Sequence, residues 1–255
     1  MKFSLKTLAA AVTLAVAAAG ANAAIDAGAS GNGELFFNVW DANGSYTLDL
    51  NVSIDSFESA LAASGAFSQL WSDTKLVSFL GTADQTSLQW NVVAADGDGV
   101  ARLLTTFSTL GSSNIRNNAG TNAVGTIGQF ATAVNTELAA GADSVIVTNV
   151  NPAYAGADSF GNKINNGLNF SNSGTLATDS YADGLSFLRA TMANSTSARS
   201  VYNVYADGAD SVKVWLDGSG LHMSSVAAVP EPSEYALLLA GLGMIGFMAR
   251  RNKRA

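Results

Sequence analysis

The chain has 255 residues and a formal net charge of −7 at pH 7, and only 13% of its residues are charged. Because it contains 48% hydrophobic residues, with 12 Phe and 4 Trp but only 3 Pro, it can build a packed core, which argues against a low-complexity disordered chain. The absence of Cys excludes disulfides, thiol nucleophiles and Cys-ligated metals, so the fold must be stabilised by its core alone.

Residues 1–23 have the pattern of a secretory signal peptide. Two basic residues, Lys2 and Lys6, precede an apolar run from 8 to 19, and Ala21 and Ala23 provide the small-x-small pattern of a cleavage site. A retained anchor helix is the alternative, although the run is short and rich in Ala. The sequence therefore predicts export, with signal peptidase and the export machinery as partners.

The segment 24–228 is predicted to be the exported domain, and it is strongly acidic. It contains seven Lys and Arg against 18 Asp and Glu, which gives a net charge of −11. Such a surface should repel nucleic acid and anionic lipid and could attract cations. We therefore expect no nucleic-acid partner.

The first half of this domain is predicted to contain two antiparallel hairpins separated by a helix. Asn43-Gly44 lies between strand-like runs 34–40 and 46–52, which is a strong hairpin signal. A short helix is predicted over 56–64, with Asp55 as its cap and Gly65 at its end. The second hairpin is predicted around 96–99, between strand-like runs 88–93 and 100–107.

The second half begins with the clearest helical pattern, over 122–140, where apolar residues recur every three or four positions before Gly141. A strand is predicted over 143–150, followed by long loops or irregular edge structure over 151–180. A third hairpin is predicted around 217–220, between 212–215 and 221–226. The first strand of each hairpin contains a Trp, which we interpret as an anchor in the core or on a sheet face rather than a sugar-stacking platform: Trp40, Trp90 and Trp215.

The predicted fold class is therefore α+β and β-dominated, with antiparallel hairpins and one or two amphipathic helices. This single domain is flanked by the signal peptide and by a C-terminal transmembrane sorting tail over 229–255. The tail has three parts: the triplet Pro230, Glu231 and Pro232, an apolar segment over 236–249, and a basic end formed by Arg250, Arg251, Lys253 and Arg254.

The basic end is predicted to stop transfer across the membrane, because Lys and Arg beside an apolar segment stay on the cytoplasmic side. The apolar segment is shorter than the roughly 20 residues of a stable helical span, so it suits a temporary anchor. The two prolines keep the preceding peptide extended. The chain would thus be held at the membrane with its domain outside.

This three-part tail resembles the PEP-CTERM sorting signal, with Pro230, Glu231 and Pro232 matching the signature triplet. The resemblance covers about a tenth of the chain. It implies that an exosortase, a membrane protease-transpeptidase, recognises the motif, removes the tail and releases or relocates the protein at the cell surface. It also implies a bacterium that makes extracellular polysaccharide, which becomes a candidate partner.

No catalytic site is evident in the sequence, and we expect neither enzymatic activity nor a cofactor. The only histidine, His222, is interpreted as structural, and without Cys or a second His the usual zinc sites lack ligands. The acidic turn 96–99 departs from a calcium loop at its fifth and twelfth positions. The leading hypothesis is a non-enzymatic surface or matrix protein; the alternatives are a carbohydrate-binding module and, less favoured, a glycosidase with two carboxylates within about 10 Å.

Overall fold

The computed structural model describes residues 24–62, 68–156, 170–193, 198–206 and 211–225, in which strands predominate over helices. The described helices are α1 Ile54–Ala62, α2 Thr74–Thr82 and α3 Asn117–Glu137. The described strands are β1 Glu34–Trp40, β2 Gly44–Ser53, β3 Ser68–Trp71, β4 Gln89–Asp96, β5 Ala101–Phe107, β6 Thr109–Leu110, β7 Ser144–Thr148, β8 Phe170–Ser171, β9 Ser186–Met192, β10 Val201–Tyr205, β11 Val212–Asp217 and β12 Gly220–Ser225. The β-dominated α+β class is confirmed.

The strands form three antiparallel sheets. The large sheet has seven strands in the order β10-β9-β5-β4-β1-β2-β7, and the small sheet has three in the order β11-β12-β3. Strands β6 and β8 form a separate short pair. All three predicted hairpins are present, as β1 with β2, β4 with β5, and β11 with β12.

The large sheet is the middle layer of the fold, because its side chains alternate between two cores. One core, which includes Phe37, Tyr46 and Trp90, lies between the large sheet and the layer formed by α1, α2 and the small sheet. The other, which includes Phe36 and Ile127, lies between the large sheet and α3. A chain without disulfides is thus stabilised by apolar burial on both faces of one sheet.

The predicted helices are present with shifted bounds, and the sequence analysis underestimated their number. Helix α3 begins five residues before the predicted start at 122. Helix α1 begins at Ile54, and Ser53 caps it, since the Ser53 Oγ accepts the backbone N–H of Ser56 at 3.2 Å. The predicted cap Asp55 instead lies within the helix and binds Arg102. Gly65 lies outside the described residues.

The sequence analysis did not predict α2, β3, β9 or β10. Helix α2 covers only nine residues, and Asp73 caps it by accepting the backbone N–H of Leu76 at 2.6 Å. The predicted strand 143–150 is observed as β7. Part of the predicted irregular stretch, 157–169, lies outside the described residues. Its remainder contains β8 and the buried residues Phe170 and Asn172, so it contributes to the packed interior.

Candidate functional site

A cleft of about 460 Å³ lies at the edge of the large sheet, between the beginning of β7 and the small-sheet strand β3. At this position β2 continues past the first residue of β7, because the pairing of β7 with β2 ends at Ser144 and Leu48, while β1 stays paired with β2 beyond that point. The polar residues that line this cleft, which we call the Trp71 cleft, are Asp49, Asn51, Gln69, Ser72, Asp73, Lys75, Asp143 and Ser144.

Asp73 is fixed within the Trp71 cleft by three hydrogen bonds. Its Oδ1 caps α2, and its Oδ2 accepts the Tyr46 hydroxyl at 3.0 Å and the Ser144 hydroxyl at 2.6 Å. Burial, followed by the negative charge of Asp73, raises the pKa of Tyr46 above its ordinary value, so this phenol stays protonated and donates. These contacts connect β2, β7 and α2, which favours a structural role for Asp73 over proton transfer.

Asp49 is a buried carboxyl group with one unpaired oxygen. It is 2% exposed; its Oδ1 accepts the backbone N–H of Asn51 at 2.8 Å, while Oδ2 has no partner among the described residues. Burial raises its pKa to about 7. Asn51 has a positive φ of 54°, at a register shift between β1 and β2. Strain, an orphaned oxygen and a shifted pKa together mark this part of β2 as unusual.

The register does not bring Asp49 and Asp73 together as an acid pair. Asp49 pairs with Phe36, whose side chain belongs to the core beneath α3. Tyr46, which donates to Asp73, belongs to the core on the opposite face of the sheet. Alternation along β2 therefore directs the Asp49 carboxyl away from Asp73. The two acids lack the convergent placement that glycoside hydrolysis requires.

Trp71, which lines the cleft, has a buried hydrogen-bond donor without an acceptor among the described residues. Its side chain is 9% exposed, and its indole Nε1 has no partner among the described residues. A buried indole N–H ordinarily finds an acceptor, and a ligand hydroxyl could supply one after a small side-chain movement. The sequence analysis did not identify Trp71, because β3 is short and has no turn signal to mark it.

The three hairpin tryptophans act as anchors, as predicted. Trp40 and Trp90 are 4% and 0% exposed, and the Trp90 Nε1 donates to the Thr178 hydroxyl at 2.9 Å. Trp215 is half-buried on the small sheet, where it stacks on His222 with a centroid separation of 4.8 Å. Trp215 is held on the small sheet by His222 against one face and by a T-shaped contact with Tyr181, at a centroid separation of 5.7 Å.

His222 lies beside an acid and a hydroxyl, but not in the order of a catalytic triad. Its Nε2 is 3.0 Å from both Ser219 Oγ and Asp217 Oδ2, so one ring nitrogen makes both contacts. A triad uses one nitrogen for the nucleophile and the other for the acid. Burial acts to raise the pKa of Asp217, but hydrogen bonds from Ser219 and His222 lower it overall. The cluster stabilises the β11–β12 turn.

The acidic turn 96–99 is also structural. The Asp96 Oδ2 accepts two hydrogen bonds from Arg102, at 2.8 and 2.6 Å, and its Oδ1 accepts the backbone N–H of Asp98. Within the described residues, no group of three or more His, Asp or Glu side chains is arranged to hold a metal ion.

The residues predicted to direct sorting all lie outside the described residues. They are Ala21, Ala23, Pro230, Glu231, Pro232, Arg250, Arg251, Lys253 and Arg254. The apolar segment 236–249 lies outside them as well. In the part of the chain that the structure describes, no helix combines the length and the apolar character needed to cross a membrane.

Comparison with known proteins gives one result, and it concerns the C-terminus. A family profile described as the PEP-CTERM protein-sorting motif matches residues 228–254. No curated protein and no solved structure matches the chain. The match begins three residues after β12 ends at Ser225. The chain therefore carries a PEP-CTERM sorting motif at residues 228–254, and this motif implies that the protein is exported, targeted to exosortase and processed at the membrane.

Proposed function

We propose that this protein is a non-enzymatic component of the bacterial cell surface or extracellular matrix, structural or associated with exopolysaccharide, which exosortase releases by removing its tail. The observation that carries this proposal is the sorting motif over 228–254, directly after the last strand of a folded domain. Only residues 226 and 227 separate that strand from the matched segment. The domain would therefore be held close to the membrane until the tail is cut.

We propose a division into signal peptide 1–23, exported domain 24–228 and sorting tail 229–255, and all the described residues lie within the second of these parts. Ile25, two residues after the proposed cleavage site, is 3% exposed and is bound to α3, so the start of the proposed exported domain is part of the packed fold. Signal peptidase would recognise Ala21 and Ala23 and remove residues 1–23.

Within the tail, each part has a proposed role. Pro230, Glu231 and Pro232 form the element that exosortase recognises. The apolar segment 236–249 anchors the chain temporarily, and the final basic residues stop its transfer: Arg250, Arg251, Lys253 and Arg254.

A carbohydrate-binding module is the second candidate function, and the Trp71 cleft is the observation that favours it. The cleft combines an indole donor without an acceptor and the amide side chains of Asn51 and Gln69. Sugar sites use such groups to bind hydroxyls. Titration of the full chain with the producer's own polysaccharide should change its Trp fluorescence, and Trp71→Phe should reduce that change more than Trp215→Phe. No change with the native chain would reject this candidate.

The leading proposal is tested by following the native chain in three strains: the parent, one without exosortase and one without exopolysaccharide synthesis. We expect tail-free protein in the matrix of the parent and full-length protein in the membrane without exosortase. Without polysaccharide, tail-free protein should move to the medium. Equal retention in the matrix of the parent and the polysaccharide-deficient strain would contradict the association with exopolysaccharide.

A further inference from the structure

The register of the small sheet places two polar side chains of β3 on one face, next to the Trp71 cleft. In the pairing with β12, Trp71 is opposite Leu221, and both belong to the core between the large and small sheets. Gln69 is opposite Met223 of the same core. Because side chains two positions apart in a strand lie on the same face, an indole and a carboxamide stand side by side where β3 lines the cleft.

The environment of the Trp71 indole is aliphatic. Leu48 and Leu50 of β2 line the same cleft, are buried and belong to the same core as Trp71. The Trp71 Nε1 is itself buried and has no acceptor among the described residues. A buried donor without a partner costs free energy, which an incoming acceptor would recover. Since this N–H is not at the surface, the acceptor has to project from the body of the ligand.

The charged groups of the cleft favour a neutral ligand. Lys75 Nζ already donates to the Ser144 carbonyl oxygen at 2.6 Å, and Asp73 already accepts three hydrogen bonds from protein groups. An anionic ligand would approach the acids Asp73 and Asp143, which both line the cleft. An ammonium group carries only donors, so it cannot accept the Trp71 N–H. A neutral acceptor therefore fits better than either ion.

An acetamido substituent on a sugar ring meets these requirements. Its carbonyl oxygen is an acceptor that projects from the ring, whereas a hydroxyl oxygen is attached to the ring directly. Its N–H can donate to the carbonyl oxygen of the Gln69 side chain, because a carboxamide both donates and accepts. Its methyl group suits the aliphatic surroundings that Leu48 and Leu50 provide, since burying a methyl group is favourable.

We propose that the Trp71 cleft binds an acetamido sugar through this substituent. Trp71 donates to the acetamido carbonyl after a small rotation of its side chain, Gln69 accepts the acetamido N–H, and the leucines contact the methyl group. The inference rests on the second candidate function, carbohydrate binding at this cleft, and adds which sugar the cleft selects. A polymer with N-acetylated units would then retain the released domain, and a plain glucan would not.

The test is calorimetric titration of the full chain, in mild detergent, with tetrasaccharides of N-acetylglucosamine, glucosamine and glucose that share one linkage. They carry an acetamido group, an ammonium group and a hydroxyl at the same ring carbon. We expect the acetylated form to bind about tenfold more tightly than the other two, which corresponds to one neutral hydrogen bond and one buried methyl group.

Two variants test the contacts separately. Trp71→Phe keeps an aromatic ring but removes the N–H, so it should lose most of the preference for the acetylated form. It removes a donor that has no acceptor, so the fold loses no hydrogen bond of that indole. Gln69→Leu, at a half-buried position, should also reduce the preference, because the acetamido N–H loses its acceptor.

Trp215→Phe is the matched control. Trp215 is opposite His222, which is opposite the exposed Leu70, so Trp215 lies on the other face of the small sheet from Trp71. This variant should keep the full preference for the acetylated form. Since it makes the same replacement of an indole by a phenyl ring, it separates a loss at the cleft from a general effect of removing a Trp.

The outcomes separate this inference from the candidate function. Binding of the producer's polysaccharide together with equal affinity for the three tetrasaccharides would overturn the inference and leave carbohydrate binding standing. Failure to bind the polysaccharide and every tetrasaccharide would overturn both. Tightest binding of the glucosamine form, or an unchanged preference in both Trp71→Phe and Gln69→Leu, would also overturn the inference.

Discussion

Ile25 and Asn135 are joined by two hydrogen bonds that attach the beginning of the exported domain to α3. The Ile25 backbone N–H donates to Asn135 Oδ1 at 2.9 Å, and Asn135 Nδ2 donates to the Ile25 carbonyl at 3.0 Å. One side chain thus satisfies both backbone groups of a residue that is 3% exposed. The chain is therefore attached to α3 two residues after the predicted cleavage site.

Asn135→Ala should therefore destabilise the domain by about 1–3 kcal/mol, because it leaves two buried backbone groups without partners. Urea unfolding of the native and substituted chains measures this difference. Asn122→Ala, at an exposed position on the same helix, controls for the change in helix propensity. Equal stability of the two variants would show that the amino-terminal attachment contributes little.

Asp49→Asn should change the pH dependence of stability. The folded-state pKa of Asp49 is raised to about 7 from an ordinary value of 3.8, so the folded protein binds the proton more tightly than the unfolded chain. This contribution is fully present below the ordinary pKa and is lost as pH rises through about 7. Native stability should fall across this interval, and Asp49→Asn should reduce the fall by about 1–3 kcal/mol.

Urea unfolding at several pH values between about 4 and 8 would test this effect. Asp143→Asn is a suitable control. Asp143 is an exposed acid, and its charge raises the pKa of Asp49 less than burial does. It should leave most of the pH dependence in place. An identical pH profile for the native chain and Asp49→Asn would contradict a buried, titrating Asp49.

Two glycines of α3 should respond in opposite ways to substitution by Ala. A Cβ at Gly125 would meet no atom within 4 Å, so Gly125→Ala should stabilise the domain by about 0.5–1 kcal/mol through helix propensity. A Cβ at Gly120 would lie 2.7 Å from Met192 Cγ and Sδ, and Met192 is buried. Gly120→Ala should therefore lower the melting temperature, whereas Gly125→Ala should raise it. A rise in both would show that Met192 moves aside freely.

Glu231→Gln should prevent removal of the tail, if the triplet is a recognition element. The substitution keeps the size of the side chain and both prolines, so the restriction that proline places on the backbone is unchanged while the charge is lost. Mass spectrometry of the membrane and released fractions should find a full-length, membrane-retained product. Normal loss of the tail would instead favour a simple spacer between domain and anchor.

Neutralising the basic end should affect the tail without affecting export. When Arg250, Arg251, Lys253 and Arg254 are replaced by Gln, we expect impaired retention or orientation of the tail, because the stop-transfer charges are lost. Removal of residues 1–23 should continue, since the amino-terminal signal contains what entry requires. Accumulation of the unprocessed chain in the cytoplasm would show that the two steps are not separable.

The sequence by itself determined the features that depend on local chemistry. The sorting motif is a short linear pattern, so its residues identify it without a fold. The hairpins were predictable because Gly-containing turns such as Asn43-Gly44 allow the backbone to reverse between alternating strands. Helix α3 was predictable because its apolar residues repeat at helical spacing, although its beginning was placed five residues too late.

Only the tertiary structure decided which of these elements meet. Strand β3 is four residues long and becomes a strand by pairing with β12, about 150 positions later in the chain, so no local pattern marks it or the Trp71 cleft. Arg116 and Arg199 are adjacent only because a bridge joins the entry to α3 with the segment before β10. Asp49 resembles any other surface acid in the sequence, and its burial in the folded chain raises its pKa to about 7. These properties come from contacts between segments that are distant in the chain, and local sequence patterns do not predict such contacts.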